Sequence, residues 1–133
     1  MTQITPFTIE TSEEELNDLK QRLVMTRWPD KETPTDWSQG IPLSYMIEIH
    51  DYWLNQYDWQ ARLELLNQWP GFKTKIDGLG IHFLHIKSAE PDALPLLMTH
   101  GWPGSIVEFQ KIIGPLTNPT QHGGLASDAF DLV

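Results

Sequence analysis

The residues best placed to do chemistry in this chain are His100-Gly101-Trp102-Pro103-Gly104-Ser105. They follow the continuous apolar run Leu94 to Thr99, which reads as a buried parallel strand, and they lead into a segment with helical spacing. In open α/β sheets, ligands and reacting groups collect beyond the carboxyl ends of strands. A turn in that place can leave backbone N–H groups free to face an anion. The chemistry on offer is therefore stabilisation of negative charge.

Other reactive side chains have simpler readings. His82 and His85 lie three apart on a strand, so they face opposite sides of the sheet and share no metal. His50 sits on an apolar helix face and reads as a hydrogen-bonded core histidine. His122, beside two glycines, reads as a surface residue. His100, at a strand's carboxyl end, either holds the turn or transfers protons. Ser105 lacks the G-x-S-x-G elbow of a serine nucleophile and is better placed as a helix N-cap. No Gly-rich phosphate loop is present, so nucleotide cofactors have no support. No two carboxylates form a convincing acid–base pair. One anion-binding turn without a complete catalytic set does not name a reaction.

The elements around the turn follow from periodicity. Ser12 and Glu15 form a capping-box pattern, and Leu16, Leu19, Leu23 and Val24 recur at helical spacing, which predicts a helix over 12–26. Pro29 and Pro34 prevent its continuation. Pro42 fits a first helical turn, followed by the stripe Leu43, Met46, Ile47, His50, Leu54 and a second stripe of Tyr45, Ile49 and Tyr52. Two stripes predict a helix covered on two sides. A further helix is expected over 58–68, with Trp59, Leu63 and Leu66 inward. The period then changes to two. Phe72 to Ile76 alternates, Asp77-Gly78 is a hairpin turn, and Ile81 to Lys87 reads as the returning strand. After Leu94 to Thr99 and the turn, Ile106, Phe109, Ile112 and Ile113 predict a helix that Gly114-Pro115 stops. Residues 117–129 read as loop, and Phe130 to Val133 resumes an apolar strand. A globular domain rarely stops as a buried strand begins, because its backbone groups would lack partners.

At 133 residues, with 40% hydrophobic and 20% charged residues, the chain fits one globular α/β domain. Nine basic against eighteen acidic residues give a net charge of −9, which argues against nucleic acid and anionic membranes as partners. The absence of cysteine removes disulfides, a thiolate nucleophile and Cys-type zinc sites, and is compatible with a reducing cytoplasm. No signal-peptide pattern and no membrane-length apolar run appears. A cytoplasmic, soluble protein is the expectation.

The chain resembles the N-terminal region of microsomal-type epoxide hydrolases, of the α/β-hydrolase superfamily. The likeness is carried by Thr26-Arg27-Trp28-Pro29, by Trp37 to Pro42, and by Tyr52-Trp53 with Tyr57-Asp58-Trp59-Gln60 and Leu66-Asn67. Ile76-Asp77-Gly78-Leu79 with Ile81-His82-Phe83 matches the family's first hairpin, and the His100–Ser105 turn its oxyanion turn. The turn alone is shared with haloalkane dehalogenases and other relatives; the helical extension upstream makes such a hydrolase a weaker match.

The resemblance implies a helical extension over 1–70, then the beginning of an α/β-hydrolase core over 71–133: hairpin, third strand, first core helix, and a stub of the fourth strand, inserted between the second and third. It implies hydration of a small apolar epoxide to a vicinal diol through an alkyl-enzyme ester, with no metal or organic cofactor. Trp102 would give its backbone N–H to the oxyanion hole, supported by His100, Gly101, Pro103 and Gly104, and Trp102–Pro103 would be cis. The family's aspartate nucleophile, lid tyrosines, orienting acid and catalytic histidine match no position in these residues, so the chain alone would be inert. An alternative expectation is a non-catalytic product or subunit that needs a partner chain, with association through an exposed sheet edge.

Overall fold

The computed structural model describes residues 3–133. They form two compact units, Glu10–Ala61, and the residues up to Ile9 together with Arg62–Val133. The family likeness implies a division at residue 70.

In the unit Glu10–Ala61, α1 spans Glu13–Val24. Ser12 caps it as the sequence predicts. Its hydroxyl accepts from the Glu15 N–H at 3.2 Å, and the Glu15 carboxylate accepts from the Ser12 N–H at 2.8 Å. Those bonds from Ser12 hold the Glu15 carboxyl below its ordinary pKa. At the other end, the Leu23 carbonyl accepts from the Thr26 N–H at 3.0 Å and lies 2.8 Å from His50 Nε2. His50 is thus hydrogen-bonded, and the Trp28 ring meets it edge-on at 5.0 Å.

The second helix, α2, spans Leu43–Asn55. Pro42 occupies the cap position and has no side-chain acceptor, so Glu32 from the preceding loop accepts from the Leu43 N–H at 2.9 Å. That bond is the chief reason the Glu32 carboxyl is held low. The expectation that α2 is covered on two sides is corrected: none of its residues is buried, and Tyr45, Ile49, Tyr52 and Trp53 are exposed. A unit this short has too little chain to enclose both stripes. α3, Trp59–Asn67, starts in this unit, with Asp58 accepting from the Ala61 N–H, and continues into the other, where Leu63 is buried.

In the other unit, β1 (Thr5–Pro6), β2 (Gly71–Ile76) and β3 (Leu79–Leu84) form an antiparallel sheet in that order. Asp77 and Gly78 both take positive φ, 50° and 86°, as a two-residue type I′ hairpin requires. The leading residues are bound along their length. Phe7 N–H donates to the Gly71 carbonyl at 2.8 Å, and both backbone groups of Ile9 pair with the Asn67 side-chain amide at 2.9 Å. β1 escaped the sequence pattern because two residues, one of them proline, carry no period.

The second sheet pairs β4 (Leu94–Leu96) in parallel with β5 (Phe130–Leu132). On its other edge β5 exchanges two hydrogen bonds, 2.9 and 2.8 Å, with Ile86. β5 therefore lies between the strand that follows the hairpin and β4, the insertion the resemblance implies. The returning strand expected over 81–87 is in fact divided. Its ladder to β2 ends at Leu84, and Ile86 joins the second sheet.

A 3₁₀ turn, Ile106–Phe109, leads into α4, Gln110–Thr117. The helix does not stop at Gly114-Pro115; Pro115 lies inside it. Proline removes the donor that would serve the Lys111 carbonyl, and both residues lie on the exposed face, where water can replace it. Two further 3₁₀ turns, Pro119–His122 and Ala126–Asp128, occupy the stretch expected as loop.

Ile113, 2% exposed, centres the core with Ile86 and Leu132, and Leu96, Met98, Phe109 and Phe130 pack around them. The expectation of a fully buried strand over 94–99 is corrected. Leu96 and Met98 reach the core, whereas Leu94 and Leu97 are exposed, Leu97 by 75%. Leu97 alternates with Leu96 and Met98 and so faces the other side, whereas Leu94 shares their side but lies at the start of the strand, outside the core cluster.

Candidate functional site

The turn begins where β4 gives out. The last bond along that edge runs from Met98 N–H to the Val133 carbonyl, 2.8 Å. Beyond it the chain is exposed, and Trp102 is 99% exposed. The Trp102–Pro103 bond is cis, and Gly104 N–H donates to the Gly101 carbonyl at 2.6 Å, a type VI arrangement. His100 Nδ1 lies 3.1 Å from the same oxygen and, when protonated there, donates to it. The Gly101 carbonyl is thus held by two donors. The Trp102 N–H makes no hydrogen bond among the described residues.

Gly104 and Gly101 differ in what surrounds them. A Cβ on Gly104 would fall 2.8 Å from the Gly101 oxygen and overlap the Glu108 carboxylate, whereas a Cβ on Gly101 meets nothing within 4 Å. The Glu108 side chain can swing away; the Gly101 oxygen, which closes the turn, cannot. Gly104→Ala is expected to cost about 1–3 kcal/mol through overpacking. Gly101→Ala should stay within about 0.5 kcal/mol of the parent. Urea denaturation of the two variants separates these outcomes.

Ser105 ends the turn as an N-cap, its hydroxyl accepting from Val107 N–H at 3.3 Å. A cavity of about 230 Å³ adjoins β4 and the 3₁₀ turn, lined by Met98, Thr99, His100, Ile106 and Phe109 among others. Gly101, Trp102, Pro103 and Gly104 are not part of its lining. The structure therefore brings His100 to this cavity and leaves the rest of the turn outside it.

His82 also lines the cavity. Its Nε2 is buried without a partner among the described residues, and its ring meets Phe7 edge-on at 5.2 Å. Burial, and then the positive charge of Lys73, hold its pKa below the ordinary value. The folded state favours neutral His82, so the unfolded chain takes up the proton first. This contribution is complete above the unfolded pKa, about 6.5, and is lost as pH falls through that value toward the lower folded one. The urea midpoint should drop on acidification from pH 7.5, and His82→Leu should flatten that limb. The lowered carboxyls of Glu15, Glu32 and Asp36 add a separate loss below about pH 4.5.

Four residues that the sequence pattern did not single out form a polar cluster. Ser88 N–H donates to Asp131 Oδ1 at 2.8 Å, Ser88 Oγ donates to the Thr117 carbonyl at 2.7 Å, and Glu90 N–H donates to Ser88 Oγ at 3.0 Å. No local spacing announces a partner 43 residues away.

A family model described as the epoxide hydrolase N terminus matches residues 4–109. The chain belongs to that family. Epoxide hydrolase 1 of Sus scrofa is 44% identical over 134 residues, covering 98% of this chain and 30% of that protein. The crystal structure of juvenile hormone epoxide hydrolase from the silkworm Bombyx mori superposes with a TM-score of 0.84 at 35% identity, covering 99% of this chain and 31% of that one. The structure of Aspergillus niger epoxide hydrolase gives 0.82 at 31% identity, covering 98% and 34%. The chain thus spans about a third of the length of the relatives it matches. Its fold is the N-terminal region of an α/β-hydrolase-type epoxide hydrolase. Among the described residues no helix is long and apolar enough to cross a membrane.

Proposed function

We propose that these residues supply the oxyanion turn of an epoxide hydrolase that converts small apolar epoxides to vicinal diols in the cytoplasm, without a metal or organic cofactor. The observation that supports the reading is the Trp102 N–H, without an acceptor among the described residues, on a turn whose other end is closed by Gly104 N–H and the Gly101 carbonyl. His100 supports the turn through Gly101, Pro103 supplies its cis bond, and Gly104 allows its close approach.

In the reaction that the family likeness implies, an aspartate oxygen attacks an epoxide carbon. The carbon–oxygen bond breaks, and a tyrosine gives its proton to the departing alkoxide. Water, deprotonated by histidine, then attacks the ester carbonyl. Negative charge gathers on the former carbonyl oxygen, and the Trp102 N–H meets it there. Collapse of that intermediate breaks the bond to the alkyl oxygen, which takes the proton from histidine; the water's remaining proton returns to the tyrosinate, which frees the diol and restores the carboxylate. Those other groups match no position in these residues, so the 133-residue chain should form no diol by itself.

The test replaces the matching segment of Sus scrofa epoxide hydrolase 1 with these residues and measures diol formation from styrene oxide. Turnover within about tenfold of the parent enzyme supports the reading. A folded but inactive chimera, or diol formation by the isolated chain, overturns it.

A further inference from the structure

The Ser88 cluster closes a mechanical circuit. β4 leads through the turn into the 3₁₀ segment and α4, which together rise about 20 Å from Ile106 to Thr117. At the far end, the Thr117 carbonyl is one that α4 cannot satisfy internally, and the Ser88 hydroxyl donates to it. Ser88 is in turn held by the Asp131 carboxylate, and Asp131 sits on β5 opposite Pro95 of β4. The path therefore returns to the strand it left. The same hydroxyl accepts from Glu90 N–H, so its orientation is fixed from both sides.

From this circuit we infer that Ser88 and Asp131 are positioning residues for the oxyanion turn: they set where α4 stands along its axis and so where the Trp102 N–H is held. The importance of that placement rests on the function proposed above; the mechanical coupling does not. Thr117 is buried and its hydroxyl is already bound to the Ile113 carbonyl. Among the described residues no other side chain from outside α4 bonds its last turn in place of Ser88. Removing the Ser88 hydroxyl leaves the Thr117 carbonyl unpaired, and the helix can shift toward the turn.

Amide hydrogen exchange of the intact 133-residue chain, resolved by residue with NMR, tests this. Ser88→Ala and Asp131→Leu should each speed exchange at Gly104, Glu108 and the α4 amides by roughly tenfold, the loss of about one hydrogen bond. They should also move the Trp102 amide resonance while the β2–β3 hairpin amides stay as they were. Ser88→Thr and Asp131→Asn, which keep a hydroxyl and an acceptor oxygen, should restore the parent pattern. Loss confined to residues 116–118 would mean a merely local cap, and uniform loss across hairpin and turn would mean general destabilisation; either overturns the inference. None of these readouts depends on catalysis, so a failed chimera and a failed circuit cannot be confused.

Discussion

Replacing the Trp102 peptide N–H with an ester oxygen, by ligation into the Sus scrofa chimera, should slow diol formation by about 10²–10³-fold, the cost of one preorganised oxyanion donor. The loss should fall unevenly on the two half-reactions. Opening of the epoxide builds charge on the epoxide oxygen, away from this amide, so the alkyl-enzyme should still form. Its hydrolysis builds charge on the ester oxygen that the amide serves. Covalent alkyl-enzyme should therefore accumulate, visible in the protein's mass after rapid quenching, where the parent chimera shows little. Unchanged turnover, or equal slowing of both halves without accumulation, would remove Trp102 from the oxyanion hole. The side chain is not the instrument: the indole is almost fully exposed. Trp102→Phe should change the rate far less than the ester does.

Ile113→Ala should cost about 2–5 kcal/mol, the range for emptying a large aliphatic side chain from a packed core. Ile113 is the best-buried large side chain of its unit, and Ile86 and Leu132 close around it. The three come from the post-hairpin strand, α4 and β5, so the cavity opens where the second sheet meets its helix. A loss of that size is a large fraction of a small domain's stability. The urea transition should move to much lower concentration or lose its cooperativity, while Ile113→Val should cost about 0.5–1.5 kcal/mol. Its neighbour provides the control. Ile112 is 42% exposed, and Ile112→Ala should shift the midpoint far less. A similar shift for both would contradict the core described above.

What the sequence made legible is what neighbouring residues decide among themselves. The Ser12–Glu15 box, the Asp77-Gly78 hairpin and the Ser105 cap each rest on side chains a few positions from the backbone they serve, and all three formed as read. The position of β5 and the cis bond at Pro103 came from family likeness; no local rule gives them. The errors cluster where distant partners decide. Pro115 was read as a stop because its missing donor is a local fact, whereas the exposed face that tolerates it is not. An apolar run predicts burial at both Leu94 and Leu97, yet the core covers only one side of β4, which exposes Leu97, and does not extend to the strand's start at Leu94. The Ser88–Asp131 bond left no trace in spacing at all. At the turn, residue types point to an anion-facing backbone, and the choice of Trp102 comes from the family likeness; that its N–H has no partner among the described residues is visible in coordinates alone.

The pairing of Ile9 with Asn67 has a practical corollary. One amide side chain reproduces the donor and acceptor of a neighbouring strand, so the opening stretch is stitched down well past its two ladder residues. Trimming an expression boundary to Glu10 would unzip that seam and bare the outer rim of β2 at Phe72 and Lys73, creating a sticky border where foreign strands can anneal.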